Sequence, residues 1–151
     1  MTKAPTHTPV NAPQVSAPPG WRIGVDLVGV ATVAESLAGF AQRYLDRVYT
    51  AAEQADLAVC DTVRRAEGLA ARWAAKEAAL KALGLCDSGI SPRDIEVRRL
   101  PDGAPHLVLH GRAAEAARMR GWQPASLSLS HDAGFAIAVV LACPWAACGT
   151  P

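Results

Sequence analysis

The chain has 151 residues, half of them hydrophobic, with 15 basic and 14 acidic side chains and a net charge of +1. That is the length of one domain with enough apolar residues for a core, and the near-neutral balance supplies no overall field toward nucleic acid or a membrane surface. The longest apolar run, Phe135 to Cys143, is too short to span a bilayer, and no charged segment followed by an apolar run opens the chain as a secretory signal would, so a soluble cytoplasmic protein is expected.

Residues 1–20 are dominated by Pro, Thr and Ala and read as a flexible tail. Trp21 to Val30 is β-branched, bounded by glycines, and predicts a buried strand carrying one acid, Asp26. Apolar residues at Val33, Leu37, Phe40, Tyr44 and Val48 have helical spacing and predict one helix with a turn. Thr50 and Glu53 form a capping-box pattern that opens a short helix running to about Val59. Asp61 caps a long helix that ends at Leu83, with Gly84 as its stop.

A loop of Gly, Ser and Pro follows. Ile95 to Leu100 and His106 to His110 read as two strands of a hairpin joined by the turn Pro101 to Pro105. A short helix closed by Gly121 comes next. In the strand from Ala125 to His131, Leu127 and Leu129 share one face and Ser126, Ser128 and Ser130 the other. After the Asp132–Gly134 turn, the apolar stretch from Phe135 to Ala142 predicts a strand central to a sheet, and residues 144–151 read as a tail. The order β-α-α-α-β-β-α-β-β predicts an α+β fold: one compact domain over residues 21–143, with an antiparallel-rich sheet packed against the long helix. The cysteines, Cys60, Cys86, Cys143 and Cys148, contain no C-x-x-C pair. They read as small buried or tail residues, with nothing to suggest a disulfide framework.

Candidate chemistry concentrates on the long helix. Arg72, Lys76, Glu77 and Lys81 fall within ten residues, with Arg72 above Lys76 and Glu77 above Lys81 at four-residue spacing. The alanines between them let other backbone approach closely. Three cations and a carboxylate on such a helix suit a polyanionic ligand lying along it; the alternative is a solvated face with one Glu–Lys pair. Asp26 weighs against the alternative, because an ionised carboxylate in a buried strand is costly unless paired or metal-bound. Two carboxylates on different elements, with cations nearby, suit Mg²⁺ together with substrate phosphates. Ser130, His131 and Asp132 do not form a catalytic triad, since neighbouring strand residues point to opposite faces. They read instead as a polar strand end offering a hydroxyl and an imidazole. No G-x-x-x-x-G-K-[ST] or G-x-G-x-x-G motif is present, which excludes P-loop chemistry.

The stretches IGVDLVGV, FAQRYLDRVYTAAE, RWAAKEAALKALG, ISPRDIEVRRLPDGAPHLVLHGRAAEAA and SLSLSHDAGFAIAVVLA occur in this order over roughly Ile23 to Ala142. Together they resemble the holo-acyl carrier protein synthases, which are small 4'-phosphopantetheinyl transferases. The resemblance implies transfer of the 4'-phosphopantetheine arm of coenzyme A to a serine of an apo acyl carrier protein, with adenosine 3',5'-bisphosphate released. It implies Mg²⁺ on Asp26 and Glu77, and Lys81 beside the pyrophosphate. Arg72, Lys76, Ser130 and His131 would then serve the coenzyme A phosphates, and Asp102, Gly103 and Pro105 would lie by the adenine. It also implies a homotrimer with each active site between two subunits. The proton of the carrier serine could pass to Glu77, to Asp26 or to a metal-bound water.

The chain departs from the family in its N-terminal tail, which lies outside the family core, in the loop LGLCDSG after the long helix, which is less rich in glycine than the family's form, and in the segment after the strand aspartate. The segment after the strand aspartate usually carries basic residues that meet the carrier, whereas GVATVAESLAG has none and contains Glu35; Arg43 and Arg47 come later. A second reading is therefore a non-catalytic module that binds coenzyme A or a carrier protein. A third is a nucleotide or polyphosphate hydrolase that uses the same carboxylates.

Overall fold

The computed structural model describes residues 20–86 and 88–145. The expected N-terminal tail lies outside these residues apart from Gly20, as does the C-terminal tail from residue 146.

The chain forms an α+β fold in the expected order. Strand β1 (Arg22–Gly29) leads into helix α1 (Val30–Val48), α2 (Ala51–Asp56) and α3 (Thr62–Leu83). A 3₁₀ turn (Pro92–Asp94) precedes the hairpin β2 (Ile95–Arg99) and β3 (Pro105–Leu109). Helix α4 (Gly111–Met119) and the hairpin β4 (Trp122–Asp132) and β5 (Phe135–Pro144) complete the domain. A three-stranded antiparallel sheet has the order β1-β5-β4, and β2-β3 makes a second, two-stranded sheet.

Local chemistry sets the helix ends. The Thr50 hydroxyl accepts the Glu53 N–H, and the Glu53 carboxylate accepts the Thr50 N–H, so the capping box closes. The Asp61 carboxylate accepts the Arg64 N–H at the start of α3, and Gly84 ends that helix with φ +69°, a left-handed conformation suited to glycine. Helix α1 is interrupted at Ala41 (φ 44°, ψ −124°), which is the expected helix-plus-turn made concrete.

Three expectations are corrected. Strand β4 begins at Trp122 rather than Ala125, because the strand continues past a bulge between Pro124 and Ser126, where proline supplies no N–H to the ladder. The Arg22 guanidinium stacks over the Trp122 ring, 4.2 Å from its centroid. Strand β5 extends to Pro144, one residue into the expected tail. Cys143 is buried and disulfide-bonded, whereas Cys60 and Cys86 are free; cysteine spacing alone reveals metal pairs and frameworks but not a single bridge.

Strand β5 is central, as its composition predicts, yet only one of its faces is buried. Ala136, Ala138, Val140 and Ala142 lie against α3, while Phe135, Ile137 and Val139 stand open beside Ile23, Val25 and Leu27 of β1. On the buried face α3 lies directly on β1. A Cβ at Gly24 would sit 1.9 Å from the Ala78 carbonyl oxygen and 2.7 Å from the Ala82 nitrogen, so only glycine allows that approach.

Candidate active site

The close approach at Gly24 brings the acid of β1 to the cation of α3. Asp26 faces the helix, as its strand neighbours Gly24 and Val28 do. Lys81 Nζ donates to Asp26 Oδ1 at 2.7 Å and to the Val25 carbonyl at 3.0 Å. The bond to Asp26 raises the proton affinity of Lys81, which stays charged. Glu77, one turn before Lys81, is partly buried. Burial pushes its carboxyl above the usual range, the charge of Asp26 adds to that rise, and Lys81 opposes it. Asp26, Glu77 and Lys81 are thus one electrostatic unit, as expected from the sequence.

This unit fits a hard divalent cation. Two carboxylates from different elements interact here: burial first and the charge of Asp26 second raise the proton affinity of Glu77, and a cation between them would oppose both. Among the described residues no group of three or more His, Cys, Asp or Glu is placed to hold a metal. Two carboxylates are a donor set that suits an ion which also takes waters and substrate phosphates.

Arg72 and Lys76, the other two of the four expected charges, turn away, and here the expectation of four charges along one ligand is corrected. Lys76 is fully buried. Its ammonium donates to Glu53 Oε2 at 2.8 Å, to the Pro92 carbonyl at 3.0 Å and to the Ile95 carbonyl. With every proton engaged inside the domain, Lys76 has none left for a coenzyme phosphate. Burial lowers its proton affinity, and the Glu53 carboxylate opposes that shift. Arg72 is intermediate between the two situations. Its guanidinium donates to Asp56 Oδ2 at 3.1 Å and to the Gly68 carbonyl at 3.3 Å, while the buried Nε has no partner among the described residues.

Arg72 borders a cleft of about 730 Å³ that also holds His131, Gly103 and Pro105. These four come together as expected. The same cleft contains Arg64, Arg98 and Arg99, which the sequence reading did not single out. The signal was present as two adjacent arginines at the end of a strand leading into the Gly103 turn, but their convergence with α3 requires the tertiary fold. His131 Nδ1 lies 3.8 Å from Glu67 Oε2. His131 pairs with Ala136, and Leu129 with Ala138, which in turn pairs with Asp26. Asp26 and His131 therefore share the helix-facing side of the sheet, with small alanines of the central strand between them.

Two expected ligand residues fall elsewhere. Ser130 is exposed on the opposite face of β4, paired with Ile137, because strand alternation separates it from His131. Asp102 shapes the turn instead of lining the cleft: its carboxylate accepts the Ala104 N–H at 2.9 Å and so presents Gly103. A larger open groove between α1 and the 3₁₀ turn contains Phe40, Arg43, Arg47 and Arg93.

A family model described as the 4'-phosphopantetheinyl transferase superfamily matches residues 22–140. A holo-[acyl-carrier-protein] synthase of Chloroflexus aggregans is 46% identical over 129 residues, covering 79% of this chain and 92% of that protein. The enzyme of the same name from Koribacter versatilis is 43% identical over 120 residues, covering 78% and 94%. Among solved structures, the Chronobacterium ammoniagenes ACPS–CoA complex superposes with a TM-score of 0.70 at 30% identity, covering 82% of this chain and 97% of that one. Helicobacter pylori holo-[acyl-carrier-protein] synthase in complex with coenzyme A gives a TM-score of 0.67 at 33% identity, covering 78% and 96%.

Proposed function

The chain belongs to the 4'-phosphopantetheinyl transferase superfamily, and we propose that it transfers the 4'-phosphopantetheine arm of coenzyme A to a serine of an apo acyl carrier protein, releasing adenosine 3',5'-bisphosphate. The observation that carries this reading is the convergence of Asp26, Glu77 and Lys81 on the same side of the sheet as a cleft bordered by four arginines. A pure binder of coenzyme A gains nothing from two mutually repelling carboxylates, and a group that activates a phosphoryl centre does.

In this reading coenzyme A lays its phosphates along Arg64, Arg72, Arg98, Arg99 and His131, with the adenine by Gly103 and Pro105. Asp26 and Glu77 hold Mg²⁺, which when bound withdraws charge from the pyrophosphate oxygens. Lys81 supplies a second positive charge at the leaving phosphate, pre-oriented by the Val25 carbonyl and Asp26. The carrier serine must lose a proton as it attacks. Glu77, Asp26 or a metal-bound water would accept it, directly or in relay.

The open apolar face, formed by Ile23, Val25, Leu27, Phe135, Ile137 and Val139, supports a homotrimer, because a contiguous patch of six large apolar side chains favours association over exposure to water. The trimer completes each site between two subunits. The groove containing Arg43, Arg47 and Arg93 remains available to an acidic carrier even though the segment after Asp26 has no basic residue. The cytoplasmic location expected from the sequence stays part of this reading; no described helix is long and apolar enough to cross a membrane.

The test is chromatographic separation of the nucleotides after incubation with coenzyme A, Mg²⁺ and an apo carrier. Adenosine 3',5'-bisphosphate formed only when the carrier is present supports transfer. Nucleotide or phosphate release without a carrier would indicate the hydrolase, and no release despite coenzyme A binding would indicate the non-catalytic module.

A further inference from the structure

We propose that Lys76 is a positioning residue: its buried ion pair with Glu53 fixes the rotation of α3 about its own axis and thereby aims Glu77 at Asp26. The inference rests on the reading of Asp26 and Glu77 as a cation-binding pair.

Between the fully buried Leu69 and Leu83 near its two ends, α3 packs on the core largely through small side chains. Ala74, Ala75, Ala78, Ala79 and Ala82 are all fully buried. Alanines offer shallow ridges, and shallow ridges tolerate a helix turning or sliding against its neighbours. The contact at Gly24 is backbone on backbone and fixes how close the helix lies rather than which way its side chains point. Hydrogen bonds are directional, and Lys76 makes three of them to other parts of the fold: Glu53 of α2, the carbonyl of Pro92 in the 3₁₀ turn and the carbonyl of Ile95 at the start of β2. Glu53 is itself immobilised. Its Oε2 also accepts the Thr50 N–H at 2.8 Å, and its Oε1 accepts the Val97 N–H at 3.0 Å.

Lys76 and Glu77 are adjacent, so a turn of the helix that moves one moves the other. A rotation of about 10° carries a side-chain end about 6 Å from the helix axis through roughly 1 Å. A misplacement of that size at a reacting centre can lower a rate ~100-fold. A buried ion pair adds little net stability over a neutral replacement, so its presence here calls for a role other than stability.

The experiment compares wild type with the double variant Lys76→Met/Glu53→Gln, which removes both charges while keeping the Gln carbonyl as an acceptor. Three readouts are taken: thermal midpoint, kcat and KM for coenzyme A, and Mn²⁺ affinity in the presence of coenzyme A from the free-ion EPR signal. The expected result is a thermal midpoint close to wild type, a KM within about twofold, a kcat lowered ~30- to 100-fold, and Mn²⁺ bound ~10-fold more weakly. Wild-type kcat and Mn²⁺ affinity in the folded double variant would overturn the proposal. Should the double variant fail to fold, Glu53→Gln alone decides, since Lys76 keeps both carbonyl partners; kcat and Mn²⁺ affinity equal to wild type there would also overturn it. A wild-type chain that binds Mn²⁺ and coenzyme A but modifies no carrier would instead defeat the transfer reading, with the positioning role then judged on the Mn²⁺ ratio alone.

Discussion

Lys81 and Asp26, 55 positions apart in sequence, meet at 2.7 Å because Gly24 lets α3 rest on the backbone of β1. The lysine side of the pair is about half exposed, so the pair adds little to stability, and in the transfer reading it holds an ammonium and a carboxylate within reach of phosphate oxygens. Glu77 completes the unit from the turn before.

The first prediction concerns the two carboxylates. Asp26→Asn and Glu77→Gln each remove one charged oxygen donor without changing shape. Each is expected to lower transfer by ~100- to 1000-fold at saturating coenzyme A, with the far-UV circular dichroism of the wild type retained. Near-normal rates for both variants at saturating Mg²⁺ would refute the metal assignment.

The pH dependence follows from Glu77. Its folded-state proton affinity is raised by burial and by Asp26, so the folded chain without metal holds that proton more tightly than the unfolded chain does. This contribution to stability is present at acid pH and is lost as pH climbs from the ordinary carboxylate range through the raised value. Without metal, Glu77→Gln should be at least as stable as wild type at neutral pH and lose this advantage in acid, as read by urea melts at both pH values.

The packing claim is tested at Gly24. Gly24→Ala places a methyl group against the Ala78 carbonyl, which is backbone and cannot rotate away. Helix α3 must lift from β1, at an expected loss of ~3 kcal/mol in unfolding free energy and with Lys81 drawn away from Asp26. Urea denaturation reads the first effect and the transfer rate the second.

The open face of the sheet is tested by Val139→Glu, which puts a charge among Val25, Ile137 and their neighbours without entering the buried face. Sedimentation should show wild type at three chain masses and the variant at one, with activity lost alongside the trimer. A monomeric wild type with full activity would remove the shared-site reading.

Much of this fold is legible in the sequence because the signals are local. The Thr50 and Asp61 caps, the Gly84 stop, the alternation around Leu127 and the apolar β5 are each decided within a few residues, and each appears where expected. The pairing of Asp26 with Glu77 and Lys81 was reached through chemistry and resemblance together. Lys76 was misread because four-residue spacing says which charges share a face but not what that face meets. Here Arg72 and Lys76 meet Asp56 and Glu53 of α2, and the face of Lys81 meets β1. Ser130 and His131 are neighbours in sequence and lie on opposite sides of the sheet. The convergence of Arg64, Arg98 and Arg99 depends on how the β2-β3 hairpin docks, and no local pattern carries that information.

The most direct test of the central claim is the intact mass of an apo acyl carrier protein after incubation with this chain and coenzyme A, with and without Mg²⁺. The account predicts a carrier heavier by one phosphopantetheine arm when Mg²⁺ is present and unchanged mass when it is chelated. Unmodified carriers across a panel of fatty-acid, polyketide and peptide types, with coenzyme A binding intact, would contradict it.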